Sequence, residues 1–150
     1  MSLNRNSWVL VMGVIISASL LSSPMSATAK QEYRMKVAIT VNDKIFTATL
    51  NDSQASRDFA ALLPLTLQMK DYAGEEKISD LPSRVSTVDS PAGTSAKKGD
   101  LTIYAPWGNL AIFYKAHSYA SGLIRLGQLD DPEALPVTPS SYTARFELLK

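Results

Sequence analysis

Gly99–Tyr114 reads GDLTIYAPWGNLAIFY, and this stretch decides the fold class. Two short apolar runs, Leu101–Tyr104 and Leu110–Tyr114, flank the turn-forming residues Pro106–Asn109. Strand-forming residues on both sides of a Pro/Gly/Asn cluster are typical of a β-hairpin. We therefore predict a hairpin here and place it at the centre of a small β-barrel.

The N-terminus has the three regions of a secretory signal peptide. Arg5 lies in a short polar start, Trp8–Leu21 is a 14-residue apolar run, and Ala27–Ala29 supplies small residues for cleavage. We predict cleavage after Ala29, which leaves one domain over Lys30–Lys150. The alternative is a retained membrane anchor, but such a run rises only about 21 Å as a helix, against about 30 Å of hydrocarbon core. We expect a periplasmic or secreted protein without a stable membrane anchor.

The composition excludes several classes of function. The 150-residue chain has no Cys, which excludes disulfides, thiol catalysis and Cys-ligated metals. The formal net charge is +1, and Arg5 is the only charged side chain before Lys30, so the exported part is balanced. Charges are scattered, which argues against a nucleic-acid partner or an anionic membrane. We expect an uncharged or peptide-like partner and a monomer.

Apolar residues at alternate positions predict half-buried strands at several further places. These strands are Tyr33–Val41, Ile45–Leu50, Leu65–Tyr72, Leu123–Leu129 and Tyr142–Leu149. Gly127 interrupts one of them and indicates a bulge or the close approach of another strand. Each strand is short, and turn-forming residues separate it from the next.

A short helix follows the second strand. Gln54–Leu63 carries apolar residues on one helical face, Asn51–Ser53 supplies capping side chains, and Pro64 ends the helix. We expect this helix to close one end of the barrel with Phe59 and Leu63.

Two stretches have weak patterns. Glu75–Lys98 lacks a clear period, and we interpret it as a loop with short strand pieces at Lys77–Ile78 and Val85–Val88. Ala116–Gly122 is interpreted as a polar connection. The sum is seven or eight short strands and one helix, which favours an all-β, closed barrel of about eight strands with a helix capping one end.

Short motifs in a fixed order resemble the bacterial cyclophilin-like domain family. They are Leu50–Pro64 with its DF-ALLP pattern, Asp71–Gly74 (DYAG), Glu76–Ile78 (EKI), Leu81-Pro82, Gly99-Asp100, Tyr104–Tyr114 (YAPWGNLAIFY) and Gly122–Gly127 (GLIRLG). The likeness covers nearly all of Met35–Leu149. It implies a minimal cyclophilin barrel of eight strands with helices at its ends, in a family whose members mostly have no established activity.

Prolyl isomerases of the cyclophilin class carry a Phe-His-Arg segment shortly before a Gly-Gly-Asp-Phe segment. Here Gly99-Asp100 matches part of the second segment, and Lys98 replaces the first glycine. Arg84 precedes Asp100 by sixteen residues and follows Leu81–Ser83 rather than Phe-His. In a divergent periplasmic isomerase, Arg84 would be the catalytic candidate, because a cation near the prolyl nitrogen weakens the amide resonance behind a barrier of about 18–20 kcal/mol.

Candidate ligand contacts gather around the central hairpin. Trp107 at its tip offers a ring for stacking a ligand, although a lid over the core explains the same residue. Tyr104 and Tyr114 frame this region, Asn109 is either a contact or a turn-former, and Arg84 is a polar anchor. We predict a peptide or small molecule bound at the barrel mouth. The alternatives are the prolyl isomerase and a partner-docking module.

The other polar residues are interpreted as structural. Glu76 and Lys77 are adjacent and would face opposite ways on a strand, so we expect a solvated loop rather than an acid–base pair. Asp100 is expected to bond backbone at a strand start, and Arg125 to form a surface salt bridge. The single histidine, His117, is interpreted as a surface-loop residue. No cofactor or metal is expected.

Overall fold

An eight-stranded antiparallel barrel forms the body of the domain. The structure is a computed structural model that describes residues 34–150, so the predicted signal peptide lies outside the described residues. In chain order the elements are β1 (Lys36–Val41), β2 (Lys44–Leu50), α1 (Gln54–Ala61), β3 (Leu65–Tyr72), β4 (Glu76–Asp80), β5 (Gly93–Ala96), β6 (Asp100–Tyr104), β7 (Asn109–Phe113), β8 (His117–Ser121), β9 (Leu123–Leu129) and β10 (Tyr142–Leu148). The barrel closes in the order β1-β10-β3-β4-β7-β6-β9-β2, while β5 pairs with β8 in a separate sheet. The predicted fold class is confirmed.

The hairpin predicted from the central stretch is confirmed as β6 and β7. Four of its alternate residues enter the barrel core and are at most 1% exposed: Leu101, Ile103, Leu110 and Ile112. Asn109 pairs with Tyr104 as the first residue of β7, so the turn is Ala105–Gly108 and the prediction of Asn109 as a turn-former is wrong. Gly108 takes the left-handed backbone conformation, with φ +69°, that a turn residue needs here.

The other predicted barrel strands are confirmed with small changes of boundary, and β3 has the predicted bounds. β9 lies between β2 and β6, and its register with β6 shifts beside Leu101 and Thr102. A Cβ at Gly127 would lie 2.1 Å from the Thr49 oxygen of β2. The close approach that Gly127 indicated is therefore present where β2 and β9 complete the barrel.

The helix α1 closes one end of the barrel, as its apolar face predicts. The Ser53 side chain caps its first turn by accepting a hydrogen bond from the Ser56 amide at 3.1 Å. Phe59 is fully buried and meets Phe146 edge to face, with ring centroids 6.3 Å apart. Leu63 follows the helix and packs against the core from a partly buried position.

Within residues 34–150, no helix has the length and apolar content needed to cross a bilayer.

Two strands that the sequence pattern missed cover part of the outer wall of the barrel. We call β5 and β8 the side sheet; they pair between Gly93 and Ser121. The prediction of a polar connection over Ala116–Gly122 is wrong because β8 lies there, and Val85–Val88 forms no strand. Beneath the side sheet, a second apolar cluster buries Ala96 of β5 against three outward-facing barrel residues: Ala111, Phe113 and Leu123.

Candidate functional site

A cleft of about 220 Å³ lies on the outer wall of the barrel, between the central hairpin and the side sheet. Strand alternation explains its position, since Leu110 and Ile112 point inward while their neighbours Asn109 and Phe113 point outward. His117 completes the wall from the side sheet. We call this the outer-wall cleft; it is beside the barrel rather than at the barrel mouth, where we expected a site.

Aromatic rings form one part of the outer-wall cleft. The Trp107 indole meets Tyr72 at a centroid distance of 5.7 Å and Tyr104 at 5.4 Å, with interplanar angles of 89° and 80°. Trp107 remains 56% exposed and Tyr72 44% exposed. The indole therefore folds back against the outer wall but keeps surface free for a ligand.

Polar groups form the other part of the cleft. The amides of Tyr114 and Lys115 both donate to the Glu75 carbonyl, at 2.9 and 3.2 Å, which holds the β3–β4 turn against the chain that leads to β8. As a result, His117 Nδ1 lies 2.8 Å from Glu75 Oε2. Glu76 is half-buried beside this pair, and burial raises the pKa of its carboxyl to about 6.

Asn109 lies at the inner side of the cleft and is 2% exposed. Its Nδ2 donates to the Leu110 carbonyl at 3.2 Å, whereas its Oδ1 is buried without a donor among residues 34–150. A buried acceptor without a donor is costly, and a donor that reached Asn109 Oδ1 would remove this cost.

Two of the predicted ligand contacts lie elsewhere. Arg84 is exposed, and its Nη1 donates to the Ala105 carbonyl at 2.8 Å. Its side chain packs against Gly108, so it supports the hairpin turn from outside the outer-wall cleft. Of the five predicted contacts, the structure brings Tyr104, Trp107 and Asn109 together; Arg84 and Tyr114 do not line the cleft.

Tyr114 instead contacts a charged pair inside the barrel. Lys77 is 0% exposed, its Nζ lies 3.1 Å from Asp71 Oδ1, and it also donates to the Thr138 carbonyl. The Tyr114 hydroxyl donates to the same Asp71 oxygen at 2.6 Å. Burial and this hydrogen bond raise the pKa of Tyr114 to about 12. The prediction of a solvated loop for Lys77 is wrong, because β4 turns its side chain into the barrel.

The prediction for Asp100 is confirmed, whereas Arg125 forms its salt bridge with a buried rather than a surface carboxylate. Asp100 is fully buried at the start of β6, and its Oδ2 accepts a hydrogen bond from the Lys97 amide at 3.0 Å. Arg125 Nη2 lies 2.8 Å from the same oxygen, at the surface of the barrel.

In the part of the chain that the structure describes, no cluster of three or more His, Asp or Glu residues is arranged to hold a metal ion.

Sequence reasoning missed several residues of the cleft: Tyr72, Glu75, Glu76, Phe113 and His117. One feature of the sequence could have indicated two of these residues, Tyr72 and Glu76. Ala73-Gly74 ends the alternation of β3, and a hairpin around that break places Tyr72 opposite Glu76, as observed. No comparable signal marks His117, because β8 is short and polar and pairs only with β5.

Comparisons with known proteins agree with this architecture. The sequence profile of the Cyclophilin-like family matches residues 39–147. The solution structure of the hypothetical protein AF2241 from Archaeoglobus fulgidus is similar in fold, with a TM-score of 0.55 and 13% sequence identity over 79% of this chain and 98% of that chain. No curated protein sequence matches the chain. With the profile matched over most of its length, the chain belongs to the cyclophilin-like family.

Proposed function

We propose that the domain is an exported binding module that takes a peptide side chain or a small molecule into the outer-wall cleft. The observation that carries this proposal is the exposure of the two aromatic side chains Tyr72 and Trp107, at 44% and 56%, beside a cleft of about 220 Å³. Large exposed aromatic residues around a concavity are typical of recognition sites. The cleft is smaller than sites for drug-sized ligands, which occupy about 300–1,000 Å³, so one side chain or a compact head group fits it best.

Binding rather than catalysis is the better-supported function. The isomerase alternative needs a cation next to the bound proline. The guanidinium of Arg84 is engaged with the Ala105 carbonyl and does not line the outer-wall cleft. Arg125 is paired with Asp100 and also lies outside the lining of the cleft. A proline-isomerisation assay with Arg84→Ala as the control tests that alternative directly.

Trp107 provides the readout for a binding experiment. The chain has two tryptophans, so the full chain with Trp8→Phe reports only on Trp107. The probes are capped tripeptides Ac-Ala-Xaa-Ala-amide that together cover every side chain except tryptophan, whose own emission would mask that of Trp107. We expect one chemical class to change the Trp107 emission with saturation below 1 mM. If every tripeptide, and a small amine such as n-butylamine, leaves the emission unchanged at 10 mM, the proposed function is wrong.

Two variants separate binding in the cleft from binding elsewhere. Tyr72→Ala removes one aromatic wall and should weaken binding at least tenfold. Ile45→Ala is the control, because Ile45 is 70% exposed on β2 and does not line the cleft. Equal affinities for both variants would place the ligand outside the outer-wall cleft.

Export is part of the proposal and needs its own test. The signal-peptide pattern supports cleavage after Ala29. Protein recovered from the periplasm or medium of an expressing bacterium should begin at Lys30, as measured by intact mass. Recovery of the full-length chain in the membrane fraction would favour the retained anchor.

A further inference from the structure

The charges in the outer-wall cleft are not balanced. Its lining includes two carboxylates, Glu75 and Glu76, and His117, so when both carboxylates are ionised the local charge is negative even if His117 is protonated. Glu75 has His117 as its partner at 2.8 Å. Within residues 34–150, the half-buried Glu76 carboxylate has no side-chain hydrogen bond and no direct ion pair; His117 attracts it without contact, and the adjacent Glu75 carboxylate repels it. This local imbalance differs from the even balance of the exported chain as a whole.

An unpaired, half-buried carboxylate restricts what can cover it. A neutral or anionic ligand that removes Glu76 from water would either leave its charge uncompensated or force the carboxylate to take up a proton, and both cost free energy at neutral pH. A cation would supply the opposite charge as it excludes water. Charge therefore selects for a positively charged occupant of the cleft.

The aromatic rings favour the same kind of occupant. Trp107 stands nearly perpendicular to both Tyr72 and Tyr104, so the cleft has aromatic surfaces in two orientations. A cation within about 6 Å of an aromatic face gains about 0.5–2 kcal/mol, and Trp and Tyr provide the strongest such faces. The aromatic rings and the Glu76 carboxylate together therefore favour an organic cation as the ligand.

Asn109 distinguishes between the kinds of organic cation that the cleft could bind. Its side chain lines the cleft, is 2% exposed, and has an Oδ1 acceptor without a donor among the described residues. An ammonium group with N–H bonds provides such a donor, whereas a quaternary ammonium does not.

We propose that the outer-wall cleft binds a primary ammonium group, with the cation between the aromatic rings and Glu76, and with an N–H bond available to Asn109. This rests on the proposed binding function and names the ligand class for the same site. The ammonium group belongs either to a lysine side chain of a peptide or to a free alkylamine, since both present the same chemistry.

Three lysine derivatives test the two parts of this inference. N-acetyl-lysine methylamide has charge and N–H donors, its trimethylated form keeps the charge without donors, and its side-chain acetylated form has no charge. We expect affinity to fall in that order, by at least tenfold from the first to the last, in the Trp107 emission assay. n-Butylamine is the free-amine arm, and its affinity relative to the lysine derivative tells which source the site prefers.

A matched pair of variants tests whether the Glu76 carboxylate contributes to binding of the ammonium group. Glu76→Gln should weaken binding of the lysine derivative about tenfold and leave binding of the acetylated form unchanged. Glu133→Gln makes the same change at an exposed residue that pairs with Lys98 outside the cleft, and should have no effect. Thermal unfolding of both variants checks that each remains folded.

The outcomes also separate this inference from the proposed function. If the acetylated form binds as tightly as the lysine derivative, or if Glu76→Gln changes neither affinity, the ammonium assignment is wrong. If an uncharged tripeptide binds saturably and the lysine tripeptide does not, the ammonium assignment is wrong but the proposed binding function stands. If no probe binds, tripeptides included, both the ammonium assignment and the proposed binding function are wrong.

Discussion

Gly127→Ala should weaken the barrel at the contact between β2 and β9. The new Cβ would lie 2.1 Å from the Thr49 oxygen and 2.8 Å from Leu50 Cα, and real Cβ contacts stay above 3.0 Å. The two strands must therefore separate by roughly 0.9 Å, and they pair over only three residues each. Losing about two ladder hydrogen bonds at ~1 kcal/mol each, with overpacking of about 1–3 kcal/mol, lowers the free energy of unfolding by about 3–5 kcal/mol.

Urea unfolding followed by circular dichroism measures this change, and we expect a fall of roughly 12–20 °C in Tm as well. Gly74→Ala is the matched control, since Gly74 has no atom within 4 Å of a new Cβ but has φ +66°. It should cost only about 1–2 kcal/mol, from backbone strain alone. Equal losses for the two variants would refute the reasoning, because steric contact at Gly127 would then add nothing.

Three further measurements test the core and the cleft. Phe59→Ala should lower the free energy of unfolding by about 3–5 kcal/mol in urea, whereas Ile45→Ala on the surface should change it by less than about 0.5 kcal/mol. Because the pKa of Glu76 is raised from 4.5 to about 6 on folding, the folded domain holds that proton more tightly, and stability should fall as the pH rises through this window. Carboxyl NMR should give a Glu76 midpoint near 6, and His117→Ala should raise it further; a midpoint near 4.5 would contradict the burial of this group. Lys77→Met, which keeps most of the buried side-chain volume, should be less destabilising than Lys77→Ala, which leaves a cavity costing about 2–5 kcal/mol; because both variants remove the charge, the opposite order would show that volume at this position does not limit stability.

The barrel strands were predictable because their signal is local. β3 alternates over Leu65–Tyr72, and the observed strand has these bounds. The β6–β7 hairpin likewise combines two apolar runs with a turn that lies between them. β5 and β8 carry no such signal, because GTSA and HSYAS are short and polar and each is paired by a strand more than twenty residues away. Only that distant pairing makes them strands.

Single polar residues were harder to place than strands. Lys77 alternates correctly within β4, but alternation alone does not tell which face is inside when the residue is charged. Its burial depends on Asp71 across the β3–β4 pair and on the Thr138 carbonyl, which arrives from a distant part of the chain. Arg84 was predicted as an anchor for a ligand, yet the nearby Ala105 carbonyl takes its guanidinium.

The amino-acid sequence by itself determined a closed, mostly β barrel with one helix at its end, since alternation, capping and turn residues act between near neighbours in the chain. Only the tertiary structure decided where the proposed ligand site lies. The outer-wall cleft joins Tyr72 from β3, Trp107 from the hairpin turn and His117 from the side sheet, three side chains that face outward from separate elements. Whether an outward-facing side chain meets water, a covering sheet or a cleft depends on long-range packing, which no local pattern records.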